Sequence, residues 1–338
     1  MNTNIGNHQM SILKLSWRNP LVLIVCFLLI VSIRFNRNDL VIKRPLNDAA
    51  YYIANVQQIR GEEPTYAFKG PFNERLLVTT LAAVLPFEPL TAINLANIFF
   101  LLIAIYCLFQ LLSFLNLPER NLWIGVYLFV ISFPTFYYST IGYTDPGVLS
   151  MIFIGIYSLY SGKHFLFLLA MTCGTVAKEN IVMLIPVALA FGYSRSDKKW
   201  YITALISALL FTVISAWVKH NIADQINTSF YWKPTLSRAF YNLARPNLYI
   251  SSVLSFGIPG FLCLLFLVKK KLSVFEYWKQ DLPLIIGLLV TFPPWIYMIP
   301  SAFPDGRAFW IASCFPIALS MVWWNRYGNP FLKQQTME

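Results

Sequence analysis

Apolar runs of roughly 20 residues recur along the whole chain between short charged loops, and this pattern limits the fold more than any single motif. A helix rises ~1.5 Å per residue, so about 20 residues cross the ~30 Å hydrocarbon core of a bilayer. The 338 residues are 57% hydrophobic and only 12% charged. A soluble globule of this length needs more polar side chains to cover its surface. The expected fold class is all-α: a polytopic membrane bundle of about ten transmembrane helices in one integral-membrane domain, residues 1–338.

The net charge of +11 is spread over loops and is not gathered in one arm. That distribution fits membrane topology and anionic lipid head groups, and argues against nucleic acid as a partner. Cys26, Cys107, Cys173, Cys263 and Cys314 all sit in apolar runs with no Cys-x-x-Cys pairing, and read as buried small side chains. His8, His164 and His220 are too scattered to form a metal site.

The polar start of the chain ends in Lys14 and Arg18, before an apolar first span at 19–33. No small-x-small cleavage site follows, so an uncleaved helix with a cytoplasmic amino end is expected. Residues 34–88 form the first outer loop. Within it, Tyr52, Ile53 and Val56 at helical spacing predict an amphipathic surface helix over 47–56, with Asn47 or Asp48 as cap. The apolar run 76–85 ends at Pro86, too short to span, and reads as a second surface helix. The remaining spans occupy 89–325: 90–114 inward, 122–136 outward, 148–159 inward, 201–218 outward, 248–268 inward, 282–299 outward and 308–324 inward. Residues 326–338 are a cytoplasmic tail.

One segment does not fit a single crossing. Residues 165–192 have basic residues on both flanks, Lys163 on one side and Arg195, Lys198 and Lys199 on the other. If both flanks are cytoplasmic, the chain goes out and back within the segment. Half of it reaches only about 21 Å, so the turn at Lys178-Glu179-Asn180 lies below the outer surface. The short loops at Arg120, Lys163, 195–199 and 269–271 carry the basic residues expected of the cytoplasmic side. The outer loops are basic as well, which calls for another cause, and an anionic ligand supplies one.

On this topology Asp48, Asp145, Lys178, Glu179 and Arg307 converge on the outer face, with first-loop cations such as Arg75 around them and Tyr51 and Tyr143 beside the two aspartates. An ionisable side chain at membrane depth costs about 2.5–3.5 kcal/mol on insertion scales unless it faces a partner or a wet cavity, so such residues are functional candidates. Transfer from a phosphate-linked donor needs one carboxylate to take a proton from the attacking hydroxyl. It also needs cations, with or without a divalent metal (magnesium or manganese) held by Asp48 and Asp145, to stabilise the departing phosphate. Plainer roles stand beside these. Asp48 and Asp145 also fit helix caps, Lys178 and Glu179 a structural ion pair, and Arg307 an interface anchor.

These residues also carry a resemblance. Asn47-Asp48-Ala49-Ala50-Tyr51 in the first loop, Thr144-Asp145-Pro146 opening a later span, Cys173-Gly174-Thr175-Val176-Ala177-Lys178-Glu179 after a small-residue helix, and Gly306-Arg307 before an apolar helix together resemble the integral-membrane C-type (GT-C) glycosyltransferases. The likeness covers about residues 20 to 325. It implies a multi-pass cell-membrane enzyme that moves a sugar, with inversion, from a polyprenyl-phosphate donor to a glycan or glycolipid acceptor on the non-cytoplasmic face. Asp48 is then the base or metal ligand and Asp145 the second acid. Lys178, with Arg75 or Arg307, holds the donor phosphate, and Glu179, Tyr143 and Tyr51 support them. A transporter or flippase for a lipid-linked glycan is the rival reading. It too would use a cationic cavity, but transporters often show two similar halves, and no repeat is evident.

Overall fold

The computed structural model describes residues 48–67, 70–223, 233–302 and 304–327. The expected first span at 19–33 and most of the carboxy-terminal tail fall outside them. Every element is helical, and no strand occurs among the described residues. Among the described residues, four helices are long and apolar enough to cross a membrane, or five if one bent pair counts as a single span. Apolar helices of this length suggest a membrane protein, and the expected ten spans are not reached among the described residues.

The first-loop helices form as their spacing predicts. α1 (Ala49–Ile59) buries Tyr52, Ile53 and Val56, and α2 (Leu76–Ala83) follows a 3-10 turn at Phe72–Glu74. α3 (Pro89–Phe114) is the central helix, with 61% of its apolar stretch buried. α4 (Glu119–Val130) and α5 (Phe133–Ser139) replace the single span expected at 122–136, and the pair bends by 57°. Pro134 near the start of α5 has no N–H to continue the ladder, and the Ser132 and Thr135 hydroxyls bond the Phe129 carbonyl instead.

α6 (Asp145–Ser161) packs along α3 and ends at Gly162, whose φ of 70° gives the left-handed stop. α7 (His164–Ala177) returns antiparallel to it. Lys178 then breaks the helix with an extended backbone, a 3-10 turn runs over Glu179–Met183, and α8 (Leu184–Arg195) follows. His164 from the start of α7 and Phe191 from the end of α8 both pack on Trp200, so the two ends of the segment meet. The chain therefore doubles back at Lys178, as the length of the segment requires.

α9 (Lys198–Val218) runs alongside both α7 and α8 and passes into a short π-helical turn, Lys219–Ala223. α10 (Leu236–Leu243) precedes α11 (Pro246–Glu276). The apolar stretches of α9 and α11 are only 22% and 28% buried, which leaves faces such as Leu205, Leu209 and Val213 for lipid. α12 (Trp278–Leu289) and α13 (Phe292–Ser301) make up the stretch expected at 282–299. The span expected at 308–324 is two pieces, α14 (Arg307–Ile311) and α15 (Cys314–Tyr327). Pro316, three residues into α15, cannot donate back across the break at Ala312 and Ser313.

Candidate functional site

The antiparallel pairing of α6 with α7 sets the centre of the site. Asp145 is the first residue of one helix and Lys178 follows the last residue of the other, so the pairing places them side by side. The Lys178 Nζ lies 2.6 Å from Asp145 Oδ1. Asp145 is 2% exposed, and its other oxygen, Oδ2, is 3.4 Å from the Arg307 guanidinium. Asp145 is thus no helix cap: its side chain makes no capping bond and is taken up by cations from elsewhere in the chain.

Arg307 is the hub. The same terminal nitrogen that faces Asp145 is 3.3 Å from Asp48 Oδ2, while its Nε is 2.6 Å from Asp305 Oδ2. Asp305 Oδ1 accepts from the Arg307 backbone N–H at 3.0 Å, which fixes the start of α14. The guanidinium lies over the Tyr143 ring at 4.6 Å and the Tyr138 ring at 5.8 Å. Gly306 makes this position accessible: a Cβ there would lie 2.1 Å from the Ser251 carbonyl oxygen of α11. An interface anchor points its charge to water, whereas Arg307 turns inward to three carboxylates.

Asp48 sits at the start of α1, yet its side chain makes no capping bond and turns to Arg307. With the side chain 22% exposed and a single contact at 3.3 Å, it is the most loosely held carboxylate on Arg307. Its nearness depends on Gly142, where φ is 80° and a Cβ would be only 3.0 Å from the Ala49 Cβ. The loop around Gly142 hangs from two buried amides of α3. Asn94 Oδ1 accepts from Gly142 N at 3.1 Å, and Asn97 Nδ2 donates to the Tyr143 carbonyl at 2.6 Å.

Arg75, also buried, borders the same centre. One terminal nitrogen donates to the Tyr52 hydroxyl at 2.5 Å, the other is 3.6 Å from Glu179, and its Nε has no partner among the described residues. Burial opposes its charge, but Tyr52, Glu179 and Asp145 outweigh that and raise its pKa above the ordinary arginine value. Burial likewise pushes the Tyr52 hydroxyl up to about 12. Tyr51 stacks on Phe72 at 4.9 Å and so walls the first-loop side of the site. Lys178 and Glu179 are not arranged as the simple pair their adjacency suggests. Lys178 belongs to Asp145 and Glu179 to Arg75, and the Glu179 side chain is 61% exposed.

The structure thus brings together Asp48, Asp145, Lys178, Arg75, Arg307, Glu179 and Tyr143, with Tyr51 one layer out. It adds Asp305, Tyr52, Tyr138 and the Asn94–Asn97 pair. Asp305 was visible in the turn before Arg307, and two amides three residues apart inside an apolar run were the signal for α3. A divalent ion does not fit the aspartates. Asp48 and Asp145 both close on the Arg307 guanidinium where such an ion would sit, and no three His, Cys, Asp or Glu among the described residues form a metal-holding group.

Fold and site together define an all-helical protein, with several helices apolar and long enough to cross a membrane and an ionic centre built from its first loop, a helix hairpin and a late turn. No protein family, curated protein or solved structure matches the chain.

Proposed function

We propose that the protein is a membrane glycosyltransferase of the GT-C kind, which transfers a sugar with inversion from a polyprenyl-phosphate donor on the non-cytoplasmic face. The supporting observation is that one guanidinium, Arg307, is shared by Asp48 and Asp145, carboxylates 259 and 162 residues away in sequence. A simple ion pair needs one partner. A centre with a partly exposed carboxylate, a fully clamped one and three cations suits a reaction in which negative charge arrives and departs.

The two acids divide the work by environment. Asp48, loosely held and reachable, is the base: it takes the proton of the acceptor hydroxyl as that oxygen bonds to the anomeric carbon. The anomeric carbon–oxygen bond to phosphate breaks, and polyprenyl phosphate leaves with the electron pair. Lys178, Arg75 through its unpaired Nε, and Arg307 stabilise that phosphate. Donor phosphate taken up by Arg307 releases Asp48 from its one contact, which couples donor binding to readiness of the base. Asp145 stays clamped and positions Lys178 and Arg307.

The full topology belongs to this reading: about ten spans with both termini cytoplasmic, 34–88 outside, and a small glycan or glycolipid acceptor. Single-cysteine labelling from each side of sealed vesicles tests it. Position 62, exposed in the first loop, is expected to react only from the non-cytoplasmic side and position 163 only from the cytoplasm. Labelling of position 62 from the cytoplasm alone removes the proposed face of the reaction.

A further inference from the structure

At the far end of the bundle a cavity of about 90 Å³ lies next to a shallower groove of about 310 Å³, and the two share Arg195 and Gln280 as a common wall. α6 measures the separation from the ionic centre. Asp145 is its first residue and Tyr160, which lines the cavity, its last but one, so the two places are roughly 22 Å apart along the helix.

The charges here are differently arranged. The buried Asp281 accepts from Arg326 at 2.6 Å and from the Trp323 indole N–H at 2.9 Å, both on one oxygen. Arg326 also donates to Gln280 Oε1 at 3.3 Å, which holds it at the cavity wall. Arg195, between the two hollows, and Lys279, in the groove, make no hydrogen bond or ion pair among the described residues. They lie only over the Phe191 and Tyr193 rings, at 5.7 and 5.5 Å. Arg195 and Arg326 therefore share the cavity with one carboxylate that is already engaged, and Lys279 lies in the adjoining groove. Tyr160, Asn116 and Asn325 add polar groups with no hydrogen-bond partner among the described residues.

We infer that these joined hollows bind a phosphate group, separate from the ionic centre and independent of any transfer reaction. Two uncommitted cations along one groove, of which Arg195 also lines the enclosed cavity, repel metal ions and attract an anion. The rim indicates the depth: Tyr193, Tyr277 and Trp278 are each at least 40% exposed, with Tyr193 and Trp278 rings 6.3 Å apart. Exposed aromatic and cationic side chains together mark the head-group layer. The phosphate of an anionic phospholipid meets both features, and the groove gives its glycerol backbone a path outward. A soluble phosphate compound shares the chemistry but not the need for an aromatic rim.

Full-length protein in phosphatidylcholine nanodiscs, titrated in one arm with phosphatidylglycerol and in the other with inorganic phosphate, tests this. Native mass spectrometry reads retained lipid in the first arm, and thermal stability reads binding in the second. Phosphatidylglycerol is expected to be retained by the wild type. Retention falls about fivefold for each cation removed in Arg195→Ala and Lys279→Ala, both exposed and safe for folding. Lys163→Ala, at the same end but outside the hollows, should leave it unchanged. Stabilisation by inorganic phosphate that the double variant loses, without lipid retention, keeps the phosphate site and assigns it a soluble ligand. Equal behaviour of wild type and double variant in both arms overturns the site.

Discussion

Asp145 and Asp281 are both buried carboxylates 2.6 Å from a basic side chain, one at each end of the bundle. Their surroundings differ in kind. Asp281 is satisfied locally by a guanidinium and an indole from one turn of α15, and the cations left over face outward. Asp145 shares Arg307 with Asp48, holds Lys178 alone, and sits among groups from α1, the Arg75 turn, the Lys178 break and α14. One buried pair holds helices together. The other is a network in which a partner can be exchanged, because Asp48 can leave Arg307 without leaving a fully buried charge alone.

The sharpest way to break this comparison is to remove each arginine. Arg307→Ala is expected to cost about 3–5 kcal/mol of stability, since Asp145 loses a shared cation in a dry site, and to abolish transfer. Arg326→Ala takes from the buried Asp281 the cation it is paired with and leaves it the Trp323 bond, and should also cost about 3–5 kcal/mol but with transfer retained. Denaturation in detergent and a transfer assay on both variants decide it. Loss of transfer in Arg326→Ala would erase the distinction between the two ends.

A second test separates packing from chemistry within the outer centre. Asp145→Leu with Lys178→Met replaces a buried pair by apolar side chains of similar size, and such replacements are often neutral or stabilising. The double variant is expected to be markedly more stable than Asp145→Leu alone while transfer stays lost. Recovery of full transfer in the double variant makes the pair structural only.

Asp48→Asn should act on rate and barely on stability. A partly exposed contact at 3.3 Å contributes up to about 1 kcal/mol, whereas loss of a catalytic base lowers the rate about 10²-fold or more. Activity within a few-fold of wild type removes Asp48 from the reaction.

The smallest effect concerns Glu74, next to Arg75. Burial and the nearby Glu179 charge raise its pKa above the ordinary glutamate value. The folded state then binds its proton more readily than the unfolded chain, so this residue adds stability as pH falls through the range just above that value. Glu74→Gln should remove that acid-side gain and be equal to or slightly more stable than wild type near neutral pH, as melting curves across pH would show. An unchanged pH profile would mean that Glu74 is not the group responsible.

Much of this centre could be read from the chain because charge is rare in an apolar sequence. Asp145, Lys178, Glu179 and Arg307 stood out against their surroundings, and the length of 165–192 located the turn at Lys178. The partners were not legible. Adjacent Lys178 and Glu179 suggest a pair, but which carboxylate each cation meets is set by helix register and by the close approaches at Gly142 and Gly306. Single spans expected at 122–136 and 308–324 are broken, because Pro134 and Pro316 remove ladder donors where apolar composition continues unchanged. Composition reports where a chain is apolar, while backbone hydrogen bonding decides where a helix can run through.

The most direct measurement of the central claim follows the fate of the donor. Purified protein in liposomes is given a polyprenyl-phosphate sugar labelled in the sugar, with a lipid extract of the cell envelope as acceptor. Chromatography then separates intact donor from free polyprenyl phosphate. Wild type is expected to release polyprenyl phosphate and move the label to acceptor, and Asp48→Asn to do neither. Intact donor appearing on the opposite leaflet, with no cleavage by wild type, would contradict that claim and identify a transporter.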